Sequence, residues 1–470
     1  MQASANAATI NRWWVLAGGV LIMLCLGAIY AWSAFTGALT AAPFDFSRTQ
    51  TQVVFSAGLA SFALWMALVA GRWQRRSGPR VVALTGGVVL GLGYVVAGLS
   101  GSSFWGILLG IGLLGGAGIG LAYVCPVATL LKWFPDMKGL INGLAFAGFG
   151  FGALIWIKLT EGFAFGPIDL TPGWDGLFGM GWTVNQVFLL YGAAFALLIA
   201  LGAMAMINPP AGYRPAGWMP PSGQAAQLAG GVDFSEGEMV RTPQFWGLFF
   251  IFLVAATSGL MVIGIIRLFG GESLMARGMS ASDALIVTGT AMGLFYALAN
   301  GFGRILWGKV SDMIGRRNSL VALSGLQGVT MIVFFYAAGS EFGLYLCATI
   351  IGFNFGGNFP VIASITADYF GNRNVGTNFP LVFLAYGVGG VVGPILGGVA
   401  GDNQAWVWGF LPAGIACIVA AVVAMGLVPP SKTGAEVEAA TEPVLAAEAL
   451  AEPAPAAREP AREPAATTRA

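Results

Sequence analysis

The chain has 470 residues, of which 57% are hydrophobic and only 9% charged, with a mean hydropathy of +0.78. Soluble globular domains carry about 25% charged residues, so the composition is that of an integral membrane protein. Lys+Arg 22 against Asp+Glu 21 leaves a net charge of +1, which excludes nucleic acid as the partner, and the absence of histidine removes the commonest general base, proton relay and metal ligand.

A bilayer core requires about 20 predominantly apolar residues per helix. Such runs occur at 13–39, 52–70, 81–99, 104–131, 139–159 and 184–207, and again at 243–269, 284–310, 320–338, 342–367, 375–400 and 405–428. The first follows a short polar start without a cleavage site, so it reads as a membrane helix and not as a secretory signal. The expected organisation is an N-terminus (1–12), a six-helix bundle (13–207), a connecting loop (208–242), a second bundle (243–428) and a tail (429–470). The connecting loop carries Asp233, Glu236 and Glu238 and ends in Thr242-Pro243, the pattern of an N-cap followed by proline at the first helical position. The Ala/Pro/Glu tail has few apolar side chains and is expected to be disordered. One set of loops holds Arg12, Arg72, Arg75, Arg76, Arg80, Lys132, Lys138, Arg214, Arg241, Lys309, Arg316, Arg317 and Arg373; the opposite loops hold only Arg48, Lys158, Arg267 and Arg277. The positive-inside rule then puts both termini in the cytoplasm, with the chain in the inner (plasma) membrane. The 71 glycines fit closely packed membrane helices, and Gly110–Gly115, formally GxGxxG, lies in an apolar run and reads as helix packing, not a dinucleotide site. Cys25, Cys125, Cys347 and Cys417 lie far apart in apolar stretches and read as small buried hydrophobes; no metal or cofactor site is expected.

The two bundles repeat one unit. GRWQRRSGPR, with Gly71, Gly78 and Arg80, recurs 237 residues on as GKVSDMIGRR, with Gly308, Asp312, Gly315, Arg316 and Arg317. Trp133-Phe134 ahead of Gly139 recurs at nearly the same offset as Tyr369-Phe370 ahead of Gly376. Duplicated six-helix units are how many secondary transporters hold a substrate near the midplane between their halves. The second loop matches GxxxDxxGRR, and the chain here resembles the major facilitator superfamily. The first copy departs, with Arg75 where the family has Asp. More narrowly, Asn11–Trp14, Lys132–Asp136, Gly237-Glu238-Met239 with Thr242–Trp246, and Gly303–Arg316 are similar to the oxalate/formate antiporter family and its monocarboxylate-carrying relatives. The resemblance covers about residues 11 to 428 and implies an all-α fold of twelve helices, acting as a monomeric carrier and not an enzyme.

Arg304 lies inside the eighth run, eight residues from Asp312 and so ~12 Å along the helix. An arginine at that depth costs at least ~2.5–3.5 kcal/mol on insertion scales and requires a partner. Every acidic residue lies in a loop, at a helix end or in the tail, with Asp283 and Asp368 nearest the spans. The expected partner is therefore a diffusible anion, the bland alternative being backbone carbonyls of a broken helix. Asn300, four residues earlier on the same face, adds an amide donor beside a guanidinium fork that fits a carboxylate. The family resemblance also implies that this arginine binds substrate. Arg267, near the outer end of the seventh run, reads first as an interfacial anchor.

The repeat pairs Tyr123 with Phe359 and Phe149 with Tyr386, positions that a site on the axis between halves would meet from both sides. Phe355 and Phe359 share a face of a Gly- and Pro-containing helix. The resemblance adds Tyr30 and implies that Tyr123, Phe149, Phe355 and Phe359 line the cavity. It also implies that oxalate carriers place a lysine in the eleventh helix where this chain has Tyr386. One cation balances one carboxylate, so a lactate-, pyruvate- or formate-type monocarboxylate is expected, with oxalate/formate exchange as the alternative. With no carboxylate or histidine in a span, both proton symport and anion exchange stay open. An anion sensor or scaffold without transport is the rival from another class. Drug and sugar carriers commonly hold a membrane-embedded acid that these spans lack.

Overall fold

The computed structural model describes residues 11–431 apart from 163, 166–167, 170–175, 211–212, 216, 218 and 220–232. The expected N-terminal segment up to residue 10, about half of the connecting loop and the tail beyond residue 431 lie outside the described residues. Among the described residues, eleven helices are long and apolar enough to cross a membrane. The second, Val53–Leu99, has 47 residues and would extend ~70 Å, against a bilayer core of about 30 Å. It divides at Gly78, whose φ of 80° and ψ of 162° take the chain out of the helix just before Pro79. Twelve membrane helices result, as the apolar runs imply.

We number them α1 (Arg12–Trp32, continued by Ser33–Thr40), α2 (48–77), α3 (79–99), α4 (Phe104–Trp133), α5 (Lys138–Glu161) and α6 (Val184–Met204) in the first half. The second half comprises α7 (Pro243–Met275), α8 (Ala281–Ile314), α9 (Arg316–Ala337), α10 (Glu341–Phe370), α11 (Val375–Asp402) and α12 (Val407–Met425). Most helices start on a side-chain cap. Ser47 and Thr183 form capping boxes with Gln50 and Gln186, and Thr242 Oγ1 accepts Phe245 N at 3.2 Å behind Pro243, as its sequence signature predicts. A two-residue hairpin, Ala164–Phe165 with Ile168–Asp169, is the one non-helical pairing among the described residues. Large apolar side chains such as Leu92, Leu197 and Val422 stand exposed on the outer surface, where lipid replaces water as the solvent. All four cysteines are buried, and the Gly110–Gly115 stretch packs against α3 and α2 through Gly93 and Ala57.

The halves meet along α5–α8 and α2–α11. At the end carrying the basic loops, the repeat's own glycines make the contact. A Cβ on Gly71 would strike the Gly376 carbonyl, and one on Gly308 would strike the Gly139 carbonyl. These are the same contact seen twice, since 71 and 308, like 139 and 376, are repeat equivalents. Gly315 leaves the helix at φ 87°, ψ 153°, matching Gly78. Around the second contact, Asp312 Oδ2 accepts Leu140 N at 3.1 Å and Arg316 bridges Asp312 (2.6 Å) and Asp368 (3.0 Å). Lys138 reaches Asp368 at 3.2 Å. Arg317 is exposed, and Arg80 Nη2 donates to the Met204 carbonyl at 2.5 Å, tying α3 to α6. Two of the segments that carry the family resemblance also meet: Arg12 pairs with Asp136 at 2.9 Å and lies 4.6 Å from the Phe134 ring.

Candidate functional site

The site is built around Arg304. A π-helical segment, Ala291–Tyr296, precedes it in α8 and resets the face on which Asn300 and Arg304 emerge. Gly143, Gly150 and Gly303 let α5 and α10 approach α8 backbone to backbone; a Cβ on Gly143 would lie against the Arg304 carbonyl. The guanidinium therefore crosses from the second half into the first with no exposure at all. Its Nε donates to Asn300 Oδ1 and its Nη1 to the Phe146 carbonyl, both at 3.1 Å. Its Cζ lies 4.1 Å from the Phe359 ring centroid and 5.3 Å from that of Phe149, so both ring faces attract the charge. No carboxylate among the described residues pairs with it. Nη2, Asn300 Nδ2 and the Tyr123 hydroxyl complete no well-aligned hydrogen bond, although the Tyr30 and Tyr123 hydroxyls lie near the guanidinium. Asn300 and Arg304 are bonded to each other through Oδ1 and Nε, so Nη2 and Nδ2 are donors left over on one bonded pair.

The expected aromatic residues gather here from both halves. Tyr123 and Phe149 meet edge to face at 5.5 Å, and their repeat equivalents Phe359 and Tyr386 do the same at 5.5 Å. Tyr30 lies in a 3₁₀ segment of α1, where Gly27 is pressed against the Phe149 backbone. Its hydroxyl meets that of Tyr386 at 2.5 Å, an oxygen–oxygen hydrogen bond joining α1 to α11 across the halves. Phe355 packs on Phe359 (5.3 Å) and near Tyr30 (6.5 Å). The eight residues expected to bind substrate are thus in one cluster, while the loop-motif residues lie at the basic end and Arg267, read as an interfacial anchor, is exposed on α7. The cluster also contains residues that sequence reasoning missed. Phe146 gives its carbonyl to Arg304 and stacks on Tyr123 at 5.6 Å; Phe383 lies 4.8 Å from Tyr386. Phe62 and Phe252 complete the ring. The repeat offset links Phe146 to Phe383, so the signal was present in the chain.

On the side of Asn300 away from the basic end lies a cavity of about 20 Å³ between the halves. Ala153, Ile157, Ile263, Met292 and Ala297 give it apolar walls, and Asn300 contributes its polar edge. The hydroxyls of the two tyrosines beside it, Tyr30 and Tyr296, are engaged by Tyr386 and by the Gly259 carbonyl.

Comparison with known proteins agrees with this architecture. The family model of the Major Facilitator Superfamily matches residues 273–465. An uncharacterized MFS-type transporter, YhjX, of Escherichia coli is 30% identical over 387 residues, covering 81% of this chain and 86% of that protein. The oxalate:formate antiporter of Oxalobacter formigenes is 27% identical over 427 residues (89% and 92% of the two chains). Apicoplast pyruvate carrier 1 of Toxoplasma gondii is 26% identical over 446 residues (78% and 79%). Among solved structures, the proton:xylose symporter XylE matches with a TM-score of 0.60 at 15% identity, over 89% of this chain and 96% of that one, a likeness of fold. The chain belongs to the major facilitator superfamily: it is an integral membrane transporter and not an enzyme.

Proposed function

We propose that this transporter carries a small monocarboxylate by alternating access, with the carboxylate held by Arg304 and Asn300. One observation carries the reading: a fully buried guanidinium between the halves, with no carboxylate paired to it among the described residues and with a donor left over on both Arg304 and the Asn300 bonded to it. A carboxylate accepts two parallel N–H bonds from such a pair. The Tyr30–Tyr386 hydroxyl pair suits a 2-hydroxyl or 2-oxo oxygen, and the small apolar cavity suits a methyl group. The relatives named for oxalate, formate and pyruvate point to the same size of acid. Oxalate/formate exchange is the second reading, favoured by the antiporter's similarity, but a dianion leaves one carboxylate without a cation here. The basic end faces the cytoplasm of the plasma membrane, and one chain suffices, since both halves of the site lie within it.

Counterflow in proteoliposomes with labelled lactate, pyruvate, formate and oxalate, at two proton gradients, tests the proposal. Monocarboxylates are expected to exchange and oxalate to compete poorly; oxalate as the best substrate, or no flux of any acid, contradicts it. Dependence on the gradient separates symport from exchange. The cavity makes its own prediction. Met292→Ala enlarges the apolar wall, and each added buried methylene is worth about 0.8 kcal/mol, or ~4-fold. Competition by 2-oxobutyrate relative to pyruvate is expected to improve about 4-fold in that variant. An unchanged ratio places the substrate's tail elsewhere.

A further inference from the structure

We propose that the 233–242 segment is a latch that holds the basic end shut, with Glu236 as its working group. The segment is seated on the second half. Phe234 is buried, its N–H donates to the Phe370 carbonyl at 3.0 Å, and its own carbonyl accepts Nδ2 of both Asn374 and Asn378 at 2.9 Å. Asp233 Oδ1 accepts Arg373 N at 3.0 Å. Ser235 and Glu238 close a capping box around the single helical turn Glu236–Met239, Met239 is fully buried, and Thr242 then caps α7. From this rigid mount Glu236 faces the first half. Its Oε2 accepts Arg72 Nη2 at 2.6 Å and its Oε1 accepts Arg75 Nη2 at 3.0 Å. Both arginines lie on the end of α2, next to Gly71, whose backbone meets that of Gly376 in α11.

The two inter-half contacts are repeat equivalents, yet only one has an acid of its own. Asp312 guards the α5–α8 contact, and its counterpart at the α2–α11 contact is Arg75. Glu236 supplies that missing carboxylate from the connecting loop. Parting α2 from α11 must break either its two ion pairs or the Phe234 seat, so Glu236 opposes opening at the basic end. The arginines are half-exposed, so the bias is modest and salt-sensitive.

The test uses the full chain in nanodiscs without added substrate, so its outcome is separate from the identity of the cargo. Spin labels on Arg76→Cys and Met313→Cys report the separation of the halves at the basic end; both positions are exposed and the native cysteines buried. Electron–electron resonance distances are expected to show a roughly 3- to 10-fold larger open population in Glu236→Gln, and more in Glu236→Arg. Raising NaCl to about 0.5 M moves the parent the same way. Adding Arg72→Glu and Arg75→Glu to Glu236→Arg restores the closed population. Distance distributions indifferent to Glu236→Gln and to salt, or a charge reversal that restores nothing, overturn the proposal.

Discussion

Arg304→Ala is expected to abolish monocarboxylate uptake while the protein still inserts. Losing one partner of a buried, hydrogen-bonded charge pair costs about 2–5 kcal/mol, which is roughly 30- to 4,000-fold in affinity. The substitution also frees Asn300 Oδ1 and the Phe146 carbonyl, which Arg304 links across α8 and α5. Arg304→Lys separates these two effects, because it keeps the charge and loses the fork. A lysine is a point charge on a flexible stem and cannot serve Asn300, Phe146 and a carboxylate at once. Its apparent KM is expected to rise at least ~10-fold with folding intact. The check is uptake of labelled formate and lactate per mole of reconstituted protein, with thermal unfolding as the control. Near-normal uptake by Arg304→Ala refutes the assignment.

Tyr386→Lys is expected to reverse the preference between mono- and dicarboxylates. Tyr386 is fully buried and reaches Tyr30 at 2.5 Å and the Phe359 ring at 5.5 Å, in the cluster that holds the guanidinium. A lysine there sets a second positive charge near Arg304 in a low dielectric, which is unfavourable until a dianion neutralises both. The ligand-free variant is therefore expected to melt a few degrees below the parent, since each ~1 kcal/mol shifts the midpoint by about 1 °C in a chain of 470 residues and an uncompensated buried charge costs about 3–5 kcal/mol. Oxalate should restore that loss, because a ligand at 100 times its Kd stabilises by about 2.7 kcal/mol. Formate should not, and lactate and pyruvate exchange should fall at least ~10-fold. Thermal shifts with each acid, measured on parent and variant side by side, decide the matter; equal responses to oxalate contradict the single-cation account.

Positions that depend on spacing along one helix were legible from the chain. Asn300 and Arg304 share a face because they are four apart, and the ~12 Å to Asp312 sets the arginine well inside its helix, where it is fully buried. The repeat offset was as informative: it paired Tyr123 with Phe359 and Phe149 with Tyr386, and the two pairs take the same edge-to-face geometry. Applied to Phe146 it would also have produced Phe383. Contacts between segments far apart in sequence were not legible. Nothing local indicates that Tyr30 meets Tyr386, or that Glu236 crosses to Arg72 and Arg75. The first loop's departure from the family pattern, Arg75 in place of Asp, likewise says nothing of the carboxylate that reaches it from the connecting loop. Helix ends shifted as well. α7 runs to Met275, six residues beyond its apolar run, and there Glu272 accepts a hydrogen bond from Trp406 Nε1 at 2.9 Å, a contact from a segment more than 130 residues away.

The central claim is contact between one guanidinium and the carried acid. Solid-state NMR on bilayer samples containing ¹⁵N-arginine protein and carboxyl-¹³C pyruvate measures it directly. Carbon–nitrogen dipolar dephasing is expected for a separation of about 4 Å, as in a bidentate pair, and should vanish in Arg304→Lys. Pyruvate that exchanges normally without dephasing, or dephasing that survives the substitution, contradicts the account.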